Sequence, residues 1–207
     1  MALVKYNNNS ISAVTSAASI PSGAMTLIKT LTASSSATLS FVHGSSDVVL
    51  DSTYPIYVFK FINIHPATNG ASFRMNFSTD SGSNYNVTKT TTSFEAYHNE
   101  ADNDVELRYD SAYDLAQSTA FQNLADELQN DNDANASGTL HLFNPSSTTF
   151  VKHFISNFQA MRNPSYSWNY YKAGYGNTTS AVDAIRFQFS SGNIDSGTIK
   201  LYGIKDS

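Results

Sequence analysis

Residues 181–204 read AVDAIRFQFSSGNIDSGTIKLYGI, and the spacing of the apolar residues in this stretch indicates the fold class of the chain. In both halves of it, large apolar residues alternate with polar ones, and the turn-prone residues at 190–193 separate the halves. The apolar positions are Ile185, Phe187, Phe189, Ile199 and Leu201. Alternation with a period of two is typical of a strand that buries one face. The stretch therefore predicts a β-hairpin with one solvent-exposed face and one buried face that contributes to a core.

The same plan recurs along most of the chain. Apolar and polar residues alternate over 73–77, and 94–98 and 105–109 are candidates for two further short strands. Residues 56–64 (IYVFKFINI) are apolar on nearly both faces, which is typical of a central strand covered on both sides. Roughly nine or ten strands, with turn signals about every 8–12 residues, predict an all-β fold. The predicted architecture is an antiparallel β-sandwich, jelly-roll-like in form.

One segment, 111–129, predicts a helix. Phe121, Leu124 and Leu128 follow the i, i+3, i+7 spacing of a helix face, and Ser111-x-x-Asp114 resembles a capping box. The residues Gln-Ser-Thr at 117–119 are poor helix formers, so the reliable part is about 120–128. We expect a short helix that covers one end of the sheets.

The first 24 residues differ from the rest. They are rich in Asn, Ser and Ala and end in Pro-Ser-Gly, so they predict an extended N-terminal arm followed by one sandwich domain over 25–207. Two interpretations of the arm are equally supported: a flexible terminus, or an attachment arm that docks on another chain.

Composition excludes several classes of function. The net charge is −5, the pI is near 5.4, and no basic run exists, so a nucleic-acid partner is not expected. The chain contains no cysteine, which excludes disulfides and thiolate metal sites. No apolar run is long enough for a membrane span, and the N-terminus lacks the apolar region of a secretion signal.

Three local motifs fall short of a cofactor or metal site. His98, Glu100, Asp102 and Asp104 are spaced two apart and could hold a hard cation, but a plain loop is the favoured interpretation. The segment 131–142 begins like a calcium loop but lacks its glycine and its final glutamate. A Gly-x-Gly pair at 174–176 lacks the third glycine of a dinucleotide site and is interpreted as a loop. No cofactor and no catalytic residue are therefore predicted.

A strip of aromatic residues near 166–175 is the candidate contact surface. It could stack on a sugar ring or pack on a partner protein, whereas an ordinary aromatic core strand is the favoured interpretation. The strip comprises Tyr166, Trp168, Tyr170, Tyr171 and Tyr175.

Several segments carry a resemblance to a known group of proteins. They are FINIHPATNG (61–70), FSTDSGSNY (77–85), the C-terminal SSGN (190–193) with GTIKLYGI (197–204), and LVKYNNNSI (3–11). The first three resemble small virion proteins of tailed bacteriophages, especially marine ones. The last is similar to short N-terminal arms that attach some tail-fibre proteins to the virion. The resemblance implies a β-sandwich subunit of a virus particle and supplies no catalytic residues.

The predicted function is therefore that of a non-enzymatic virion structural protein, localised in the virion and assembled in the host cytoplasm. It would be a tail appendage or fibre, or a capsid decoration subunit, anchored to other virion proteins through residues 1–24. The predicted assembly is a homo-oligomer, with a trimer favoured, and a host-surface glycan is the expected ligand class.

The alternative is a carbohydrate-binding module or a glycan-acting enzyme on the same scaffold. A hydrolase would need two carboxylates across a cleft. Glu95, Glu100, Asp104 and Glu106 form the only dense acidic group.

Overall fold

The structure, a computed structural model, describes residues 25–162 and 165–205; the predicted attachment arm, 1–24, lies outside them. The described residues form twelve β-strands and no helix, so none of their elements is a helix that could cross a membrane. The strands are β1 (Met25–Ser36), β2 (Leu39–Val42), β3 (Ile56–Pro66), β4 (Ala71–Ser78), β5 (Lys89–Asn99), β6 (Val105–Tyr109), β7 (Gln122–Leu128), β8 (Ala136–Phe143), β9 (Lys152–Arg162), β10 (Tyr166–Gly176), β11 (Ala184–Phe189) and β12 (Ile194–Ile204).

The strands form two antiparallel sheets, which confirms the predicted sandwich. The large sheet has the order β1-β12-β3-β8-β9-β10-β5-β6, and the small sheet has the order β2-β11-β4-β7. Eight of these strands, ordered β1-β12-β3-β8 and β2-β11-β4-β7, have the arrangement of a jelly roll. The other four, β9, β10, β5 and β6, extend the large sheet beyond β8. The candidate site lies in this extension.

Phenylalanine rings from both sheets hold the sandwich together. The Phe61 ring of the large sheet lies 4.8 Å from Phe158, 5.0 Å from Phe187 and 5.7 Å from Phe73, measured between ring centroids. All four side chains are buried. Edge-to-face and tilted ring pairs at these separations add to the free energy of burial. The predicted central strand, 56–64, lies in β3, an internal strand of the large sheet. The predicted cover on both faces is incomplete, because Ile62 on the outward face is 40% exposed.

The segment 181–204 forms two strands as predicted, but the expected hairpin is wrong. β11 pairs with β2 and β4 in the small sheet, whereas β12 pairs with β1 and β3 in the large sheet. The five apolar residues of the stretch are nonetheless all buried. Each of the two strands has one apolar face. That face is buried whether the strands are neighbours in one sheet or lie in opposite sheets of a sandwich, so the pattern alone does not distinguish the two arrangements.

The predicted helix over 111–129 is also wrong. Residues 110–121 form turns and bends that run alongside β5 and hydrogen-bond to it, and 122–128 form β7. Leu124 and Leu128 are four apart, a spacing that fits one face of a helix and equally one face of a strand. The buried positions between them are polar: Gln122 accepts a hydrogen bond from Thr91, and Asp126 pairs with a lysine. Because these buried positions carry polar residues, the apolar–polar alternation typical of a strand is not visible in the sequence.

Candidate functional site

Strand β10 divides the predicted aromatic strip between the two faces of the large sheet. Tyr166, Trp168 and Tyr170 face the small sheet, where Tyr170 is fully buried and Trp168 is 8% exposed. Tyr171 and Tyr175 face outward, and Tyr171 is 41% exposed. Neighbouring residues of a strand point to opposite faces, so the five aromatic side chains do not form a single surface.

The strand register sets what lies beside the inward-facing residues. Trp168 lies opposite Tyr97 of β5 on one side and Ala160 of β9 on the other. Tyr166 is the first residue of β10 and lies opposite Arg162, the last residue of β9. Aromatic and charged side chains are thereby gathered at one end of the sandwich.

A cleft opens at that end, and we call it the end cleft. Its volume is about 430 Å3, a size suited to a small molecule or one or two sugar rings. Strands β5, β7, β9 and β10 and the turns beside them supply its walls. The residues that line it are Gly70, Tyr97, Asp104, Glu127, Gln129, Arg162, Tyr166 and Trp168.

The aromatic wall of the end cleft is built on Trp168. Tyr97 stacks on the indole with ring centroids 4.1 Å apart, and the guanidinium of Arg162 lies 4.3 Å from the centroid of the same indole. Tyr166 lies 5.9 Å from both rings. Because its neighbours cover Trp168, the half-buried rings of Tyr97 and Tyr166 present the apolar surface of the cleft.

An ion pair forms the polar wall of the end cleft. Arg162 donates to Glu127, which also accepts a hydrogen bond of 2.7 Å from the Tyr113 hydroxyl. Burial alone would raise the pKa of Glu127, but the Tyr113 hydrogen bond and the Arg162 charge outweigh it, so the pKa lies below its ordinary value. Glu127 is therefore a carboxylate at neutral pH.

Hydrogen-bonding groups remain available around the cleft. Asp104 accepts a hydrogen bond of 2.8 Å from the Tyr166 hydroxyl, and this bond raises the pKa of Tyr166. Within the described part of the chain, Arg162 Nη1 and Trp168 Nε1 are buried donors with no hydrogen-bond partner. Because both donors are buried, the groups that face the cleft are the aromatic rings and the carboxylates, which suit a ligand that offers both hydroxyl groups and an apolar ring face.

A buried charged layer lies next to the end cleft. Lys172 Nζ donates to Asp126 Oδ2 at 2.8 Å and to Ser93 Oγ at 2.6 Å. Glu95 Oε1 accepts hydrogen bonds of 2.9 and 2.7 Å from Arg108. The side chains of Lys172, Asp126 and Glu95 have no exposed surface, so none of the three can meet a dissolved substrate. Sequence patterns missed this layer because its members lie on three separate strands.

The dense acidic group does not converge on a cleft. Glu95 is buried against Arg108, Glu106 accepts from the Tyr97 hydroxyl at 3.0 Å, and Glu100 lies exposed in the turn after β5. Only Asp104 lines the end cleft. Among residues 25–162 and 165–205, no group of three or more His, Asp or Glu side chains is placed to hold a metal ion.

The Gly-x-Gly pair at 174–176 is part of β10, which corrects the predicted loop. A Cβ added to Gly174 would lie 2.5 Å from the backbone oxygen of Thr90 on the adjacent strand. Glycine is therefore required here by the close approach of two strands.

An apolar surface lies on the outward face of the large sheet, at its β6 edge. Val105, Leu107 and Tyr109 are 64%, 73% and 54% exposed. Beside them, Phe94 and Tyr171 stack with ring centroids 4.9 Å apart. Large exposed apolar side chains on an edge strand are typical of a surface that meets another protein.

Comparison with protein families, with curated proteins and with solved structures found no match to this chain.

Proposed function

We propose that the protein is a non-enzymatic structural subunit of a tailed-phage virion. The single observation that carries the proposal is the strand order, because jelly rolls recur in viral coat proteins and lectins. A fold alone hosts many functions, so the resemblance of 61–70, 77–85 and 190–204 to phage virion proteins is the second support.

Attachment and assembly are part of this proposal. Residues 1–24 would anchor the subunit to other virion proteins, as a tail appendage or fibre or as a capsid decoration. The homo-oligomer, with a trimer favoured, is supported by the exposed apolar side chains of β6 and by the stacked Phe94 and Tyr171. A second copy that covered these side chains would remove them from water, which is favourable.

The virion proposal is tested by proteomics of gradient-purified particles of the phage that encodes this chain. We expect the protein in the particle fraction, with a high copy number for a decoration subunit and a low one for a tail appendage. A subunit lacking residues 2–24 should remain folded and be lost from particles. Detection of the protein only in the host lysate, never with particles, would refute the proposal.

A second function is favoured by the end cleft: binding of a host-surface saccharide. Sugar rings carry an apolar face that packs on Tyr97 or Tyr166, while their hydroxyls donate to Glu127 and Asp104 and accept from Arg162. The cleft holds two carboxylates and one guanidinium, so a neutral or amino sugar suits it better than an acidic one.

The protonation states of the carboxyl groups in and beside the end cleft favour saccharide binding over saccharide hydrolysis. A glycosidase needs a carboxyl whose pKa is raised, so that it is a proton donor at neutral pH. The pKa of Glu127 is instead lowered by Tyr113 and Arg162 against the effect of burial. Burial raises the pKa of Asp126, but its side chain has no exposed surface from which to reach a glycosidic bond.

Tyr97→Ala should weaken saccharide binding about tenfold, since loss of one stacking ring costs on the order of 1–1.5 kcal/mol. Tyr171→Ala is the matched control, because it removes a tyrosine from the outward face. A glycan array made from host-surface polysaccharides would find the ligand, and calorimetry would compare the variants, with circular dichroism to verify folding. Binding that Tyr171→Ala weakens and Tyr97→Ala leaves intact would move the site to the outward face.

A further inference from the structure

Three buried side chains on three strands form an arrangement that the saccharide function does not use. They are Lys172 on β10 of the large sheet, Asp126 on β7 of the small sheet and Glu95 on β5, the neighbour of β10. Lys172 Nζ lies 2.8 Å from Asp126 Oδ2, across the interior of the sandwich. The carbon bonded to that oxygen is therefore next to the amine.

Glu95 lies beside this pair. Tyr170 is opposite Glu95 and Lys172 is opposite Ser93, so Glu95 and Lys172 are diagonal neighbours on the same face of the sheet. Two N–H groups of Arg108 hold Glu95 Oε1, which leaves Oε2 buried and without a hydrogen-bond partner among the described residues. Asp126 Oδ1 is unpartnered in the same way.

We propose that Lys172 and Asp126 condense into an intramolecular amide bond that joins the two sheets, with Glu95 as the proton carrier. The Lys172 amine attacks Cγ of the protonated Asp126 carboxyl, and a new N–C bond forms in a tetrahedral intermediate. Glu95 accepts a proton from the nitrogen and returns it to the departing oxygen. The C–O bond then breaks and one water leaves, so the reaction consumes no oxidant, reductant or other reactant.

The surroundings of Asp126 favour the protonated carboxyl that this reaction needs. Burial is the main cause that raises the pKa of Asp126, and the charge of Glu95 adds to it, against the opposing charge of Lys172. The two ions have no exposed surface, and taking both charges out of water costs several kcal/mol per ion. Condensation removes both charges. The remaining N–H can keep Ser93 Oγ, now 2.6 Å from the amine, as its acceptor.

Two other buried lysines lack these groups and serve as internal controls. Lys89 Nζ donates to the Asn76 side chain and to the Val87 carbonyl. Lys152 Nζ donates to the carbonyls of Phe150 and Thr178. Of the three, only Lys172 contacts a carboxyl group, so the bond is specific to it.

The intact mass of the denatured full-length protein tests the proposal. We expect a mass lower than that calculated from the sequence by one water molecule. A protease digest should contain a branched peptide in which Lys172 is linked to Asp126. A mass equal to the calculated value, or a water loss located at another pair of residues, would overturn the proposal.

Variants define the chemistry further. Glu95→Gln should show the full calculated mass, whereas Lys152→Arg should keep the water loss. Asp126→Asn should lose ammonia instead of water wherever it reacts, and Lys172→Arg should lose neither. If Glu95→Gln is cross-linked as completely and as fast as the unaltered protein, the role of Glu95 is wrong.

Discussion

Phe61→Ala is expected to lower the free energy of unfolding by about 3–5 kcal/mol, the usual cost of removing a buried phenylalanine side chain. The ring of Phe61 contacts one ring of its own sheet, Phe158, and two of the opposite sheet, Phe73 and Phe187. Its loss leaves a cavity at the point where the sheets meet. Urea unfolding followed by tryptophan fluorescence measures the change.

Ile62→Ala is the matched control for Phe61→Ala. Ile62 is the next residue of β3, and its side chain is 40% exposed. We expect its removal to cost less than about 1 kcal/mol, in line with other substitutions at exposed positions. Equal losses for the two variants would contradict a core centred on the four phenylalanine rings.

Lys89→Met is expected to stabilise the protein at neutral and acidic pH. Burial lowers the pKa of Lys89 from 10.5 to about 7, and Lys89 has no carboxylate partner among the described residues. Its side chain is fully buried. A decrease of this size corresponds to a penalty on the order of 5 kcal/mol. After the substitution Asn76 Oδ1 keeps the backbone N–H of Phe77 as a donor, whereas the Val87 carbonyl loses its hydrogen bond from Lys89, which offsets part of the gain.

The sign of the pH dependence follows from the two pKa values of Lys89. Between pH 7 and 10.5 the unfolded state holds a proton that the folded state has released, so the stability of the unaltered protein rises with pH there. The penalty is complete below pH 7 and disappears as pH approaches 10.5. The advantage of Lys89→Met should therefore be largest near pH 6 and should narrow above pH 7.

Urea titrations of both proteins from pH 6 to 9.5 measure this difference. Lys205→Met is the control, because Lys205 is exposed and its removal should shift stability little at any pH. A stability difference that does not change with pH would mean that Lys89 keeps its proton in the folded protein, contrary to the expectation.

The arrangement of side chains in the candidate site cannot be predicted from sequence patterns. The sequence at 166–175 predicts one aromatic strip, yet in β10 the side chain of Trp168 points inward and that of Tyr171 points outward. The partners of Trp168 in the end cleft, Tyr97 and Arg162, come from β5 and β9, and the strand register alone brings them together. Glu95, Asp126 and Lys172 likewise carry no local signature, because each is an ordinary polar residue on its own strand.

Residue patterns along the chain are enough to predict the all-β class, the central position of β3 and the burial of five apolar residues: Ile185, Phe187, Phe189, Ile199 and Leu201. The class and the burial follow from apolar–polar alternation with a period of two, and the position of β3 follows from its apolar residues on nearly both faces. Each strand carries these patterns in its own sequence. Three properties are visible only in the folded chain: β11 and β12 lie in different sheets, 122–128 is a strand, and Lys172 contacts Asp126. Each of these depends on which strands become neighbours. The pairing of strands depends on the packing of the whole core, because strands far apart in sequence can pair with the same neighbouring strand.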